Sequence, residues 1–299
     1  MRTAIIVLNY NDYLTTEKYI NNIKKYNSID KILIVDNNSS NCDYDKLKNL
    51  TSHKVEVIKA GRNGGYSYGN NFGVRYLIEK YGEMYFDTYI ISNPDIDVED
   101  TTIQKCVSKL HSSKEIAIVS PRMYFVHGPA RRSAWKKRTY LIDIACSTRI
   151  LELLLFFLLK KGEYTNEDFK QECLNVHAIA GSFFLVKADV FQKIGMFDEN
   201  TFLFFEEDIL GDKIEKSKMK VVSLNTEKFI HYDSQTIGKL MSAFKKQRIL
   251  FNSRKYYHKQ YNKVPNFKLI IFDLLYIFRC LELIFEIPIR KLTDIFSKK

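Results

Sequence analysis

Apolar and polar positions run in blocks along the first hundred residues. Residues 3–8 (TAIIVL), 31–35 (KILIV), 54–59 and 89–91 are continuous β-prone runs. Uninterrupted runs of this kind mark strands covered on both faces. Each stops at a polar cluster: Asn9-Tyr10-Asn11-Asp12, Asp36-Asn37-Asn38-Ser39-Ser40, the glycine-rich stretch 61–73, and Ser92-Asn93-Pro94-Asp95. Helical periodicity fills the gaps, over 14–26 with Tyr19, Ile20 and Ile23 inward, over 44–50, and up to Tyr81. Strand–helix alternation at this spacing predicts an α/β fold with a mostly parallel sheet and right-handed crossovers. The four polar strand ends then share one edge, where open sheets of this kind bind ligands. Pro94 forbids continuation of a central strand and displays Asn93 and Asp95 just past its end. Asp97 reads as a cap for the helix over 98–110.

The pattern is less regular afterwards. A strand is predicted over 116–121, followed by a basic loop, 129–138, with the chain's single tryptophan. That loop reads as facing an anionic partner or lipid surface. The run 150–159, ILELLLFFLL, suits either a buried core element or interfacial insertion and is too short to span a bilayer. Residues 177–186 predict another strand, 189–195 a short capped helix, and 220–224 a strand leading to His231. Glu206, Glu207 and Asp208 are adjacent acids, costly to bury, and predict a wet cleft, a cation or a helix start. In the tail, residues 267–287 place Arg279, Glu282 and Glu286 on one narrow helical arc, with Asp273 outside it, and leave the rest almost wholly apolar. Four charges argue against a conventional membrane span. Basic residues Arg290, Lys291, Lys298 and Lys299 follow, so the expectation is a helix lying on an anionic membrane, with a subunit interface as the alternative. The domains expected are 1–238, catalytic, and 239–299, a helical extension that associates with membrane or forms a homo-oligomer.

Composition narrows the classes. With 299 residues and 45% apolar content the chain is not disordered, and its charge of +11 permits phosphorylated or lipid partners. The basic residues form no Arg-rich arm, so nucleic acid is not an expected partner. Five scattered cysteines without a CxxC argue against structural zinc and a disulfide framework, and a reducing cytoplasm fits. The apolar run at 3–8 is too short for a signal-peptide core, so the expected location is the cytoplasm and, with the tail helix, the inner face of the cell membrane as a peripheral protein. The glycine-rich stretch matches neither GxGxxG nor GxxxxGK. A strand-end Asp, an acidic triplet and a lone His suit a divalent cation that holds a diphosphate, Mg²⁺ or, given the histidine, Mn²⁺. A separate carboxylate would deprotonate an incoming hydroxyl, giving displacement with inversion.

In order and spacing, the segments VLNYN (7–11), IVDNNSS (34–40), GRNGGYSYGNNFG (61–73), ISNPDI (91–96), IAGSFFLVKADVFQKIGMFDENTFLFFEEDI (179–209) and His231 resemble the inverting GT-A glycosyltransferases of family 2, rhamnosyltransferase-like members in particular. The resemblance implies a GT-A fold and a bacterial polysaccharide-building transferase acting on a nucleotide-diphosphate sugar and a lipid-linked or oligosaccharide acceptor. It gives Asn9, Asn11, Asp36 and Asn37 to base and ribose, and Arg62, Asn63, Gly65 and Asn93 to the nucleotide and diphosphate. It makes Asp95 and His231 metal ligands and Asp208 the catalytic base. Ala180, Gly181, Ser182 and Glu207 line the acceptor and donor-sugar pocket. Leu210 and Gly211 replace the last two positions of the family's EDxDL, leaving Asp212 as the substitute acidic contact. Two other classes stay open on the residues alone, a nucleotide-sugar-binding scaffold without turnover and, more weakly, a nucleotidyltransferase.

Overall fold

The computed structural model describes residues 1–130, 132–156, 160, 162–232 and 242–296. Strands β1 (Thr3–Asn9), β2 (Lys31–Asp36), β3 (Val55–Lys59) and β4 (Thr88–Ser92) are parallel and ordered β3-β2-β1-β4. Helices α1 (Tyr13–Ile23), α2 (Asp43–Leu47) and α3 (Gly65–Tyr81) connect them. The continuous apolar runs have a direct physical cause. Ile5, Val7, Ile32 and Ile34 enter one core, while Ala4, Ile6, Leu33 and Val35 enter another on the opposite face. Side chains alternate across a strand, so a sheet covered twice needs apolar residues at every position.

The second half of the sheet is mixed. The chain leaves β4 at Pro94 and forms β5 (Ile96–Asp97), which pairs with the far end of β12 (Lys220–His231). Asp97 therefore is not a helix cap: α4 (Asp100–His111) starts after Glu99, and the Asp97 carboxylate accepts from the Tyr232 hydroxyl at 3.5 Å. β6 (Ile116–Phe125) runs past the predicted end because it pairs along most of β12. Short strands follow at β7 (Gly128–Pro129), β8 (Ala134–Trp135), β9 (Cys173–Val176) and β10 (Ala178–Ile179). Strand β11 (Phe183–Lys187) then inserts antiparallel between β4 and β6.

Two compact units emerge. One comprises residues 1–137, 164–202 and 206–234 and contains the whole sheet. It also holds α7, which is Ala188–Lys193 without a side-chain cap, and α8, which is Glu206–Lys216. The other takes in 138–163, 203–205 and 235–299, so its boundaries differ from an extension that begins at 239. Its helices are α5 (Tyr140–Ala145), α6 (Arg149–Leu154), α9 (Ala243–Gln260) and α10 (Asn266–Phe296).

The second unit is held by a buried ionic cluster beside the apolar contacts of Phe251, Leu269 and Phe272. Asp143 meets Arg138 and accepts from His258 Nε2 at 2.7 Å, with Arg254 Nε 3.9 Å away. Burial would raise the Asp143 carboxyl, but the Arg138 charge, the His258 hydrogen bond and the Arg254 charge hold it down at about 2. The polar arc of α10 is turned inward. Arg279 pairs with Glu282 and Glu286, and Glu282 accepts from the backbone N–H groups of Arg149 and Ile150 at 2.8 and 3.0 Å. Much of what the helix shows to solvent is apolar: Phe267, Ile270, Leu274, Ile277, Leu281 and Phe285 are all exposed, with Lys268 and Asp273 beside them. Ile150, Leu153, Leu154 and Phe156 of the 150–159 run are exposed too, so a core element is ruled out for them. Residues 157–159 of that run, and Arg131, Lys298 and Lys299, lie outside the described residues. Among the described residues no helix is long and apolar enough to cross a membrane.

Candidate active site

Three strand-end loops of the parallel half are tied to one another by their own side chains. Asn9 Nδ2 donates to Asp36 Oδ1 at 2.9 Å and Asn9 Oδ1 accepts from Thr16 at 2.9 Å. Ser39 donates from its hydroxyl and its backbone N–H to the two Asp36 oxygens, at 2.5 and 3.0 Å. Asn9 and Asp36 are wholly buried, so both act through the loop they shape. Asn11 adopts a left-handed backbone (φ 54) and its amide grips Ser40. Asn37 Nδ2 donates to Asn63 Oδ1 and to the Gly65 carbonyl, both at 3.1 Å. Gly65 is required there: its φ is +90, and a Cβ would stand 2.0 Å from the Phe202 carbonyl oxygen. Arg62 stays at the exposed rim, its guanidinium 4.9 Å from the centre of the Tyr68 ring.

The later motifs converge on residues 180–182. Ala180 N–H donates to Ser133 O at 3.0 Å, and Asn93 N–H donates to Ser182 O at 2.8 Å. Gly181 N–H donates to Glu207 Oε1 at 3.2 Å, and the Gly181 carbonyl accepts from the Tyr66 hydroxyl. A Cβ on Gly181 would lie 2.9 Å from Glu207 Oε1, so glycine permits this close approach. The segment thus joins NPD, the RNGGY helix and the acidic triplet. Tyr66 is a member of this junction that sequence reasoning missed, although it stands next to Gly65 in the glycine-rich motif.

Asp95 and His231 are brought together by the β5–β12 ladder, in which His231 faces Ile96 and Tyr232 N–H donates to the Asp95 carbonyl. His231 Nε2 lies 3.3 Å from Asp95 Oδ1, yet the two are misaligned for a hydrogen bond and both atoms are buried without a hydrogen-bond partner. Two buried, unpartnered donors of electron pairs aimed at one place fit a hard or borderline divalent cation.

The acidic triplet forms the first turn of α8, where a helix favours negative charge. Glu206 is buried; burial, then Glu207 and Asp208 beside it, push its carboxyl well above the ordinary range. Asp208 is also buried, and Trp135 Nε1 donates to its Oδ1 at 2.8 Å. Trp135 comes from the basic loop, so part of that loop is turned onto α8. One of its cations is used internally: Lys137 Nζ lies 2.6 Å from Asp212 Oδ1 and 2.7 Å from Glu215 Oε2. Asp212 is consequently committed to Lys137 and is 2% exposed, so it is no substitute contact for an acceptor. His177, Asp212 and Glu215 have the donor types of a metal site, but the Lys137 ammonium already sits between the two carboxylates. The only sign of Trp135 in the sequence was its being the single tryptophan.

The arrangement can hold a cation beside one group and abstract a proton with another. The solved structure of GalNAc-T7 with UDP, GalNAc and Mn²⁺ shares this fold with a TM-score of 0.60 at 14% identity, covering 86% of this chain and 48% of that one. The mannosyltransferase PcManGT of Pyrobaculum calidifontis, solved with GDP-Man and Mn²⁺, does so at a TM-score of 0.53 and 12% identity, covering 79% and 58%. These likenesses identify the GT-A fold. The low-salt glycan biosynthesis hexosyltransferase Agl10 of Haloferax volcanii is 28% identical over 207 residues, 68% of this chain. The chain spans 58% of that relative's length. The rhamnosyltransferase WbbL of Escherichia coli is 25% identical over 235 residues, covering 76% of this chain and 81% of WbbL. The model of glycosyl transferase family 2 matches residues 4–195, well over half of the chain, and the chain belongs to that family of glycosyltransferases.

Proposed function

We propose that the protein is an inverting, divalent-metal-dependent glycosyltransferase. It moves a sugar, rhamnose or a hexose, from a nucleoside-diphosphate donor onto a hydroxyl of a lipid-linked or growing surface glycan. The observation that carries this reading is the junction at 180–182, which ties the Asn93 loop, Tyr66 of α3 and the turn bearing Glu207 and Asp208 into one framework. Asp95 and His231 would hold Mn²⁺ or Mg²⁺, which supplies charge neutralisation for the diphosphate leaving group. Asp208 would take the proton of the acceptor hydroxyl as its oxygen attacks the sugar carbon from the side opposite the leaving diphosphate, giving inversion. The interlocked loops at 9–11, 36–40 and 61–65 support a pre-formed nucleotide face.

Asp208→Asn should fold and bind nucleotide while turnover falls about 10²- to 10⁴-fold. Undiminished transfer would remove Asp208 as base. Absence of transfer and hydrolysis in the unaltered protein with every nucleotide sugar would favour the non-catalytic scaffold instead.

The reading includes a place of action, on an anionic membrane at the cytoplasmic face. Its support is the exposed apolar stripe of α10, together with exposed Lys245, Lys246, Arg248, Lys259, Lys263 and Lys268 in the same unit. Apolar burial and cationic attraction are the two components of interfacial binding. Replacing Leu274 and Ile277 by Glu should lower co-sedimentation with phosphatidylglycerol vesicles. Unchanged vesicle binding with a changed oligomer size would identify the stripe as a subunit interface.

A further inference from the structure

The strand segment 133–137 grips the helix of the proposed base at successive turns. Asp208, Asp212 and Glu215 stand four and three residues apart on α8, which puts them on one helix face. Trp135 meets the first, and Lys137 meets the second and third. The segment is itself fixed. Ala134 and Trp135 pair with Ile179 and Ala178, Ser133 O accepts from Ala180, and the Ser133 hydroxyl accepts from Met123 N–H at 2.8 Å. The other side of the grip is His177, whose side chain is 9% exposed and whose Nε2 lies 3.6 Å from Asp212 Oδ1. Gly211 makes room for it, since a Cβ there would lie 2.3 Å from the His177 carbonyl oxygen. This accounts for the glycine that replaces a leucine of the family pattern.

We infer that Trp135 is a positioning residue of the transfer reaction, its indole N–H orienting the Asp208 carboxylate toward the acceptor hydroxyl. The inference rests on Asp208 being the base. An indole N–H is a donor with no acceptor capacity, so it can orient a carboxylate without competing for the proton that the carboxylate receives. The ring is anchored by the β8–β10 ladder, so the direction of the bond is set before the acceptor arrives. Among the described residues, the titratable groups near Asp208 include Glu206 and Glu207 on its own turn, and, one turn on, Asp212 and Glu215 with His177 and Lys137 beside them.

The test compares Trp135→Phe with Trp135→His in the full-length protein, using a nucleotide sugar that the unaltered protein turns over. Loss of the donor in Trp135→Phe should lower kcat roughly 10- to 100-fold, the range for a hydrogen bond to a charged group, with donor KM nearly unchanged. The acid limb of its pH–rate profile should move to higher pH, because the ionised form has lost a donor. Trp135→His keeps a ring N–H and should recover part of kcat and the original limb. A Trp135→Phe protein with unaltered kcat and pH profile, alongside an inactive Asp208→Asn, overturns this inference alone. Equal impairment of the Phe and His proteins with an unmoved acid limb does so as well, since ring bulk would then be the cause. An active Asp208→Asn overturns the assignment of the base beneath it.

Discussion

Two clusters of buried polar groups in the sheet-bearing unit differ in character. On the parallel side, Asn9, Thr16, Asp36 and Ser39 hydrogen-bond one another and fix the loops. On the mixed side, Asp95 Oδ1, His231 Nε2 and Glu206 Oε2 are buried with no hydrogen-bond partner. A satisfied network contributes stability, and a buried unpaired group costs it. The contrast separates scaffold from chemistry: one region shapes the place where a nucleotide lies, and the other keeps groups open for a cation and a moving proton. It also predicts opposite signs for mutation. Removing a partner from the closed region destabilises, whereas removing a group from the open region relieves the fold and damages function.

The largest effect expected is at Asp95. Asp95→Ala should lose the Mn²⁺ dependence of nucleoside-diphosphate affinity, a loss of about 100-fold, on the scale of perturbing a metal's coordination. Its melting temperature without metal should not fall, because no hydrogen bond to Oδ1 is given up. Titration calorimetry with and without Mn²⁺ measures the first quantity and a thermal melt the second. A marked loss of apo stability would place Asp95 in the scaffold and erase the contrast.

Asn9→Ala should act in the reverse way. It strips Asp36 of one donor and Thr16 of its acceptor inside a wholly buried cluster. Leaving such groups unsatisfied costs about 1–3 kcal/mol. Urea denaturation should show that loss, with metal-dependent nucleotide binding weakened only through the loosened loops. Wild-type stability would mean that the network is replaceable by water.

How far this division could be read from the chain follows from where each partner sits. The parallel half was legible because apolar runs and polar strand ends are local, and the two-faced core requires them to be continuous. Asn9, Asp36 and Asn37 were legible as loop residues; that Asn9 and Asp36 are sealed against one another was not, because their pairing spans 27 residues. Asp97 was misread as a cap because a two-residue strand pairing with the end of β12 leaves no local pattern. The basic loop's internal contacts were illegible because the partners of Trp135 and Lys137 lie 73 and 78 residues away on α8. The arc of α10 carried the right charges but hid their direction. A helical wheel cannot say that Glu282 bonds the backbone of 149 and 150, and so that the apolar side faces out.

The smallest effect expected, and the one most specific to the open region, concerns Glu206. Its carboxyl is raised well above the ordinary range, first by burial and then by Glu207 and Asp208. A raised folded-state value means that the native protein binds a proton that the unfolded chain has released. That contribution is complete below the unfolded carboxyl value, about 4.3. It declines as pH rises toward the folded value, so stability falls with pH over that window. Glu206→Gln keeps the shape and cannot ionise, so it should remove this part of the slope. Denaturation midpoints at a series of pH values from 4 to 8 should show the two proteins converging at the acid end, with the Gln protein the more stable at neutral pH. The expected gain is on the order of 1 kcal/mol. A Gln protein less stable at every pH would show that the Glu206 carboxylate is held by compensating partners, and the open region would then shrink to Asp95 and His231.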